Sequence, residues 1–128
     1  MLIFLSSGLF LGWALGANDA ANVFGTAVAT RMVNFTTAAI ICSIFVILGA
    51  VFSGAGAAQT LGKLGAVNAL PGAFMAAFAA ALAVYLMTKA GLPVSTSQAI
   101  VGAIIGWNFF TNTLTDTVTL TKIISTWV

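Results

Sequence analysis

The sequence predicts an all-α integral membrane protein with broken or re-entrant helices. Three observations predict it. Hydrophobic residues make up 61% of the chain and charged residues 5%, where a soluble domain carries about 25% charged residues. So few charges cannot cover a water-facing surface, and the bilayer becomes the solvent. Apolar stretches long enough to cross hydrocarbon recur along the chain. Two polar clusters, one around Asp19 and one at Ser95-Thr96-Ser97, stand inside or beside those stretches.

The first span is read over residues 2–30. It has no cationic residue ahead of its apolar run, so it reads as a retained helix and not as a signal peptide. Gly8, Gly12 and Gly16 recur every four residues, the spacing of a flat strip where another helix packs closely. Asn18, Asn22, Thr26 and Thr30 follow at the same spacing, with Asp19 flanking them. One helix over these residues would be about 43 Å long, against a hydrocarbon core of about 30 Å. Gly16 and Gly25 bracket the polar cluster. The expectation is therefore a helix interrupted near Asn18 and Asp19.

The second span covers 36–58 and carries no charge. Gln59 to Asn68, with Lys63 and turn-prone residues, reads as a loop. The third span, 70–88, is alanine-rich and ends at Lys89, Gly91 and Pro93. Pro93 disfavours helix at Leu92, and Ser95, Thr96 and Ser97 are strong helix-capping residues. A helix over 96–107 would reach only about half a bilayer. Its hydroxyl-rich start presents free amides and a positive dipole end, a setting for an anion. Threonine-rich 108–119 reads as a loop, and 119–128 as the opening of a further span. Arg31 and Lys89 fall on one side and Lys63 on the other, which places the N-terminus outside.

Several functions drop out on composition. The four cations, Arg31, Lys63, Lys89 and Lys122, are scattered, so no nucleic-acid patch exists. There is no His, and Cys42 is alone, which removes histidine-based catalysis and a transition-metal centre. The chain is read as no enzyme and as needing no cofactor.

What remains is ion chemistry. An ionisable group inside a span costs about 3 to 15 kcal/mol, so Asp19 is expected to hold a cation or a proton. Carbonyl oxygens of Asn18 and Asn22 are hard ligands suited to Na⁺. The Ser95-Thr96-Ser97 helix start suits an oxyanion. Asp19 in direct contact with that anion would have to be protonated. Together the clusters describe symport of a cation with an anion. The tryptophans at 13, 107 and 127 and Tyr85 read as interface anchors or packing.

The stretch Gly16-Ala17-Asn18-Asp19-Ala20-Ala21-Asn22-Val23-Phe24-Gly25-Thr26-Ala27-Val28 resembles the signature of the inorganic phosphate transporter (PiT) family. Pro93-Val94-Ser95-Thr96-Ser97-Gln98-Ala99-Ile100-Val101-Gly102-Ala103 resembles that family's second motif. The resemblance implies one repeat of an inverted-repeat secondary transporter that moves phosphate with Na⁺ or H⁺ across the plasma membrane as a multi-pass protein. It implies phosphate contacts at Asp19, Ser95, Thr96 and Ser97, and Na⁺ contacts at Asn18, Asp19, Asn22 and Thr96. It further implies a second repeat, in the same chain or another subunit, and a dimer in membrane lipid. Many members carry His where this chain has Gln98, which favours Na⁺ over H⁺. Each motif occurs once, so the chain is read as the N-terminal repeat of a longer protein. Sulfate or a related oxyanion is the alternative cargo, and a non-transporting membrane assembly subunit the alternative class.

Overall fold

A computed structural model describes residues 2–65, 67 and 69–127. The described residues form five α-helices: α1 (Leu2–Ala29), α2 (Phe35–Leu64), α3 (Leu70–Lys89), α4 (Thr96–Phe110) and α5 (Thr117–Ser125). Three of them, α1, α2 and α3, are long and apolar enough to cross a membrane. The chain is thus an all-α membrane protein. Of the thirty residues of α2, only Ala38 and Leu64 are buried, so its remaining apolar surface needs hydrocarbon around it.

α1 runs unbroken through Asn18 and Asp19, contrary to the interruption expected there. Glycine in a helix costs about 1 kcal/mol, whereas an unpaired backbone group in an apolar medium costs several. Gly16 and Gly25 therefore stay helical. Among the described residues, no atom of another helix lies within 4 Å of where a Cβ would stand on Gly8, Gly12 or Gly16.

α2 extends through Gln59–Leu64, where a loop was expected. The Thr60 hydroxyl donates to the Gly56 carbonyl at 3.0 Å, and Leu64 is fully buried against Ala76, Val101 and Ile104. That burial outweighs the turn-prone composition. Of the expected loop, Ala66 and Asn68 lie outside the described residues. α4 continues three residues past Trp107, and α5 starts at Thr117 with Asp116 as its N-cap. Val128, the last residue of the expected fifth element, is not described.

α1, α3 and α4 end alike. At the end of α3, Leu92 N–H donates to Met87 O and Gly91 N–H to Thr88 O, with Gly91 at φ 72°. This is the Schellman closure, which favours glycine at the left-handed position. α1 ends the same way with Arg31 there, at φ 60°, and α4 with Asn112, at φ 53°.

α1 lies chiefly against α3, and the two run parallel. Phe4 meets Phe74, Phe10 meets Phe78, and Trp13 meets Tyr85. Trp13 and Tyr85, read as interface anchors or packing, touch across α1 and α3 with Trp13 still 58% exposed, and the Lys89 ammonium lies 5.5 Å from the Tyr85 ring. α4 folds back along α3 to make a helical hairpin. Its tip, residues 90–95, reaches α1 beside Asn18. About 16 Å of α1 continues beyond that point, so the hairpin turns round partway along α1.

Candidate ion-binding site at the hairpin tip

The site forms where the hairpin tip meets α1. Asn18 sits on the α1 face turned towards α3 and is 4% exposed. Its Nδ2 donates twice, to Asp19 Oδ1 at 2.7 Å and to the Val94 carbonyl at 2.7 Å. Its Oδ1 accepts from Thr88 Oγ1 at 3.4 Å. Both amide hydrogens are therefore spent, and one oxygen lone pair is engaged. Asn18 is a strap between α1 and the hairpin. Its carbonyl oxygen keeps a second lone pair beyond the Thr88 bond.

Asp19 is half-buried. Its Oδ1 accepts from Asn18 and from Thr96 Oγ1 at 2.9 Å. Thr96 is 3% exposed, at the first turn of α4. The Schellman turn and Pro93 bring the chain out of α3 and into this helix start. Val94 presents its carbonyl to α1 there because it precedes the new helix. Two charge-accepting contacts fix Asp19 Oδ1, which leaves Oδ2 as the oxygen available to a cation.

The structure brings together Asn18, Asp19 and Thr96 of the residues predicted for the site. Ser95 is exposed and caps α4 by accepting from Gln98 N–H at 3.3 Å. Ser97 is exposed on the first turn of the same helix. Asn22 is exposed one turn beyond Asp19 on α1 and takes no part in the hydrogen-bonded cluster. Two members had no counterpart in the sequence reading: the Thr88 hydroxyl and the Val94 carbonyl. A hydroxyl at the end of an alanine-rich span, three residues before a glycine turn, was the only signal for Thr88.

An apolar groove lies elsewhere. A cavity of about 590 Å³ runs between α1 and α2, lined by Gly16, Ala17, Ala20 and Phe24 of α1 and by Ala39 and Cys42 of α2, among others. Its walls are almost wholly apolar. The polar cluster faces the hairpin on another side of α1.

A second polar knot ties the base of the hairpin. Asn108, fully buried near the end of α4, donates to the Leu64 carbonyl at 3.3 Å and to Thr115 Oγ1 at 3.0 Å. Asp116 N–H donates to the same Leu64 carbonyl at 3.2 Å. The far ends of α2 and α4 and the start of α5 are thereby joined.

Comparison with known proteins gives one consistent result. A "putative phosphate permease" of Pyrococcus abyssi is 36% identical over 115 residues, covering 84% of this chain and 28% of the relative. Proteins of the same name from Mycobacterium bovis and Methanocaldococcus jannaschii are 35% and 37% identical, covering 77% and 80% of this chain. The chain spans 20% and 32% of their lengths. No solved structure matches it. Residues 15–128 match the phosphate transporter family, and this span holds every residue of the hairpin-tip cluster. The chain belongs to the phosphate transporter family.

Proposed function

We propose that the chain forms half of the substrate site of a cation-coupled phosphate permease. The observation that carries this reading is the Thr96–Asp19 hydrogen bond. It joins the carboxylate that suits a cation to the helix start that suits an oxyanion. In this reading Na⁺, favoured over H⁺, binds at Asp19 Oδ2, with Asn22 and Thr96 nearby and Asn18 holding the carboxylate in place. Phosphate is met by the Ser95 and Ser97 hydroxyls and the first amides of α4, the single Thr96 hydroxyl hydrogen being engaged by Asp19. The cation beside Asp19 offsets the negative charge of the anion, since two negatives at this distance repel.

A second repeat, in the same chain or in another subunit, closes the other side of the site. The assembled protein is multi-pass in the plasma membrane and dimeric. It performs no bond chemistry on its cargo. Alternating access follows when the two repeats tilt about the bound ions.

Uptake of labelled phosphate by the intact protein, with and without a Na⁺ gradient, tests the reading. Na⁺-dependent uptake, abolished by Asp19→Asn in protein that still inserts, is the expected result. Uptake that persists in Asp19→Asn overturns it. Competition by excess sulfate distinguishes the alternative cargo.

A further inference from the structure

The groove between α1 and α2 takes no part in the hairpin-tip cluster. Gly12, Gly16 and Gly25 of α1 line it, with Ala39, Cys42 and Ser43 of α2. A Cβ on any of those three glycines would meet nothing within 4 Å. Glycine weakens a helix relative to alanine, and the space it leaves here stays open. The Ser43 hydroxyl donates to the Ala39 carbonyl at 2.8 Å, so the wall keeps no free hydroxyl hydrogen for an occupant. What the groove offers is apolar contact.

The groove also has a definite depth. α1 and α2 are both long and apolar enough to cross a membrane, so the turn between them, residues 30–34, lies at a membrane surface. Ala29 and Phe35, on either side of that turn, are part of the lining. On α2 the groove ends at Val46, about 17 Å from Phe35, against about 15 Å of hydrocarbon in one leaflet. On α1 it runs about 26 Å, from Ala29 back to Gly12. A volume of about 590 Å³ over those lengths gives a cross-section of roughly 25 to 35 Å². A helix with its side chains is about 10 Å across and needs roughly 80 Å². The groove admits an alkyl chain and is too narrow to seat a whole helix.

The surface end carries one charge. Arg31 is the only charged residue of the turn, and it is exposed. The C-terminus of α1 and the N-terminus of α2 meet there with opposite partial charges, so Arg31 sets the sign of this end. Its backbone, at φ 60°, would suit glycine better. An arginine stem lies along apolar surface while its head stays in the polar layer. Neither aspartate is close along the fold: Asp19 is about 18 Å back along α1, and Asp116 lies at the far end of α2, where its N–H meets Leu64 O.

We infer that the α1–α2 groove holds one acyl chain of an anionic phospholipid, whose phosphate lies in the polar layer beside the Arg31 turn. An apolar slot one leaflet deep, with a cation at its surface end, matches such a lipid in length, section and charge. A guanidinium suits a phosphodiester in two-point contact. The site does not depend on what the protein transports. The rival occupant is a helix, from elsewhere in the protein or from a second copy, laid over the groove. A helix there would be indifferent to the lipid headgroup.

Native mass spectrometry of the intact protein is the test, in detergent supplied with phosphatidylglycerol or phosphatidylcholine of the same acyl chains. One phosphatidylglycerol is expected to be retained about fivefold more tightly than phosphatidylcholine, a preference that falls with salt. Ala39→Phe fills the groove from an exposed position and should abolish that bound lipid. Ile40→Phe places the same ring outside the groove and should leave the lipid bound. Arg31→Gly relieves the backbone and should bring the two lipids to equal retention, whereas Arg31→Lys should keep most of the preference. A lipid count that Ala39→Phe leaves unchanged overturns the groove as the site. A headgroup preference that survives Arg31→Gly overturns the part given to Arg31. A second measurement locates the chain end. Phosphatidylglycerol with a photoreactive group at the tip of one acyl chain is expected to mark residues 12–17 or 42–46 in the membrane, and excess phosphatidylglycerol should suppress the mark more than excess phosphatidylcholine. Marks that miss both segments would show the groove covered by protein and overturn the proposal.

Discussion

Thr96 Oγ1 donates to Asp19 Oδ1 at 2.9 Å, across 77 positions of sequence. A hydroxyl at the tip of one hairpin thus holds one oxygen of a carboxylate in the middle of a long helix. In the proposed reading the other carboxylate oxygen is the one that meets the coupling cation.

Thr96→Val tests it with almost no change of shape. A hydrogen bond to a charged group is worth about 1.5 to 3 kcal/mol, so the apparent affinity for the coupling cation is expected to fall about tenfold or more. Thr96→Ser restores the donor and most of the affinity. Na⁺ titrations of phosphate uptake supply the measurement. Equal half-saturating Na⁺ in wild type and Thr96→Val would show that the hydroxyl does not set the carboxylate.

Asn18 and Thr88 make a second prediction. Asn18→Leu leaves the Val94 carbonyl without this donor in a setting with little water, and takes from Asp19 Oδ1 one of its two donors, Thr96 remaining. The orphaned carbonyl alone costs about 1 to 3 kcal/mol. Thermal unfolding in detergent should show a clear loss of stability, with faster amide exchange at residues 94–98. Thr88→Val removes only the 3.4 Å bond to Asn18 Oδ1 and should cost about 1 kcal/mol or less. In the double variant the Thr88 change should add almost nothing, because its partner is already gone. Simple additivity would show that Thr88 does not act through Asn18.

The pairing of the two motifs could be read in the sequence, because each is a polar cluster where lipid is expected. Asp19 and Thr96 are buried or half-buried, and each finds the other. The strap was hidden. Thr88 reaches Asn18 only because α1 and α3 run parallel in the register of Phe4 with Phe74 and Trp13 with Tyr85, and no local pattern carries that register. Val94 contributes a backbone carbonyl, which its side chain does not announce. The glycines at 16 and 25 misled, because the cost of opening a helix in an apolar medium exceeds the cost of keeping glycine in it. Asn108 was placed in a threonine-rich loop, yet it caps the hairpin base, and its role depends on a contact with α2 far away in sequence.

Asp116 gives a prediction in pH. The Thr119 hydroxyl beside it, with backbone amides at the start of α5, holds its carboxyl below the ordinary value. A carboxyl whose folded pKa is depressed adds stability above its unfolded pKa, and that stability disappears as pH falls through the folded pKa. Amide exchange in α5, corrected for the intrinsic effect of pH, should therefore show the helix start loosening below about pH 4. Asp116→Asn keeps a capping oxygen and should remove the pH step. A step that persists in Asp116→Asn would assign it to another group.

Gly65 and Asn108 make the last prediction. Gly65 has an extended backbone, φ −175°, that any residue can adopt. The constraint there is space. A Cβ on Gly65 would overlap the Asn108 carboxamide. That carboxamide cannot swing away cheaply, since it is fully buried and bonded to Leu64 O and Thr115. Gly65→Ala should therefore destabilise the protein by about 1 to 3 kcal/mol, the usual cost of forcing an extra methyl into packed structure. Asn108→Ala should also destabilise, by removing the ties to α2 and the loop before α5. The two losses should not add, because the methyl of Ala at 65 occupies space that the truncated side chain has vacated. Unfolding of the two single variants and the double variant under one detergent condition measures this coupling. A double variant as unstable as the sum of the singles would mean that Gly65 and Asn108 do not press on each other, and that the base of the hairpin is held by other contacts.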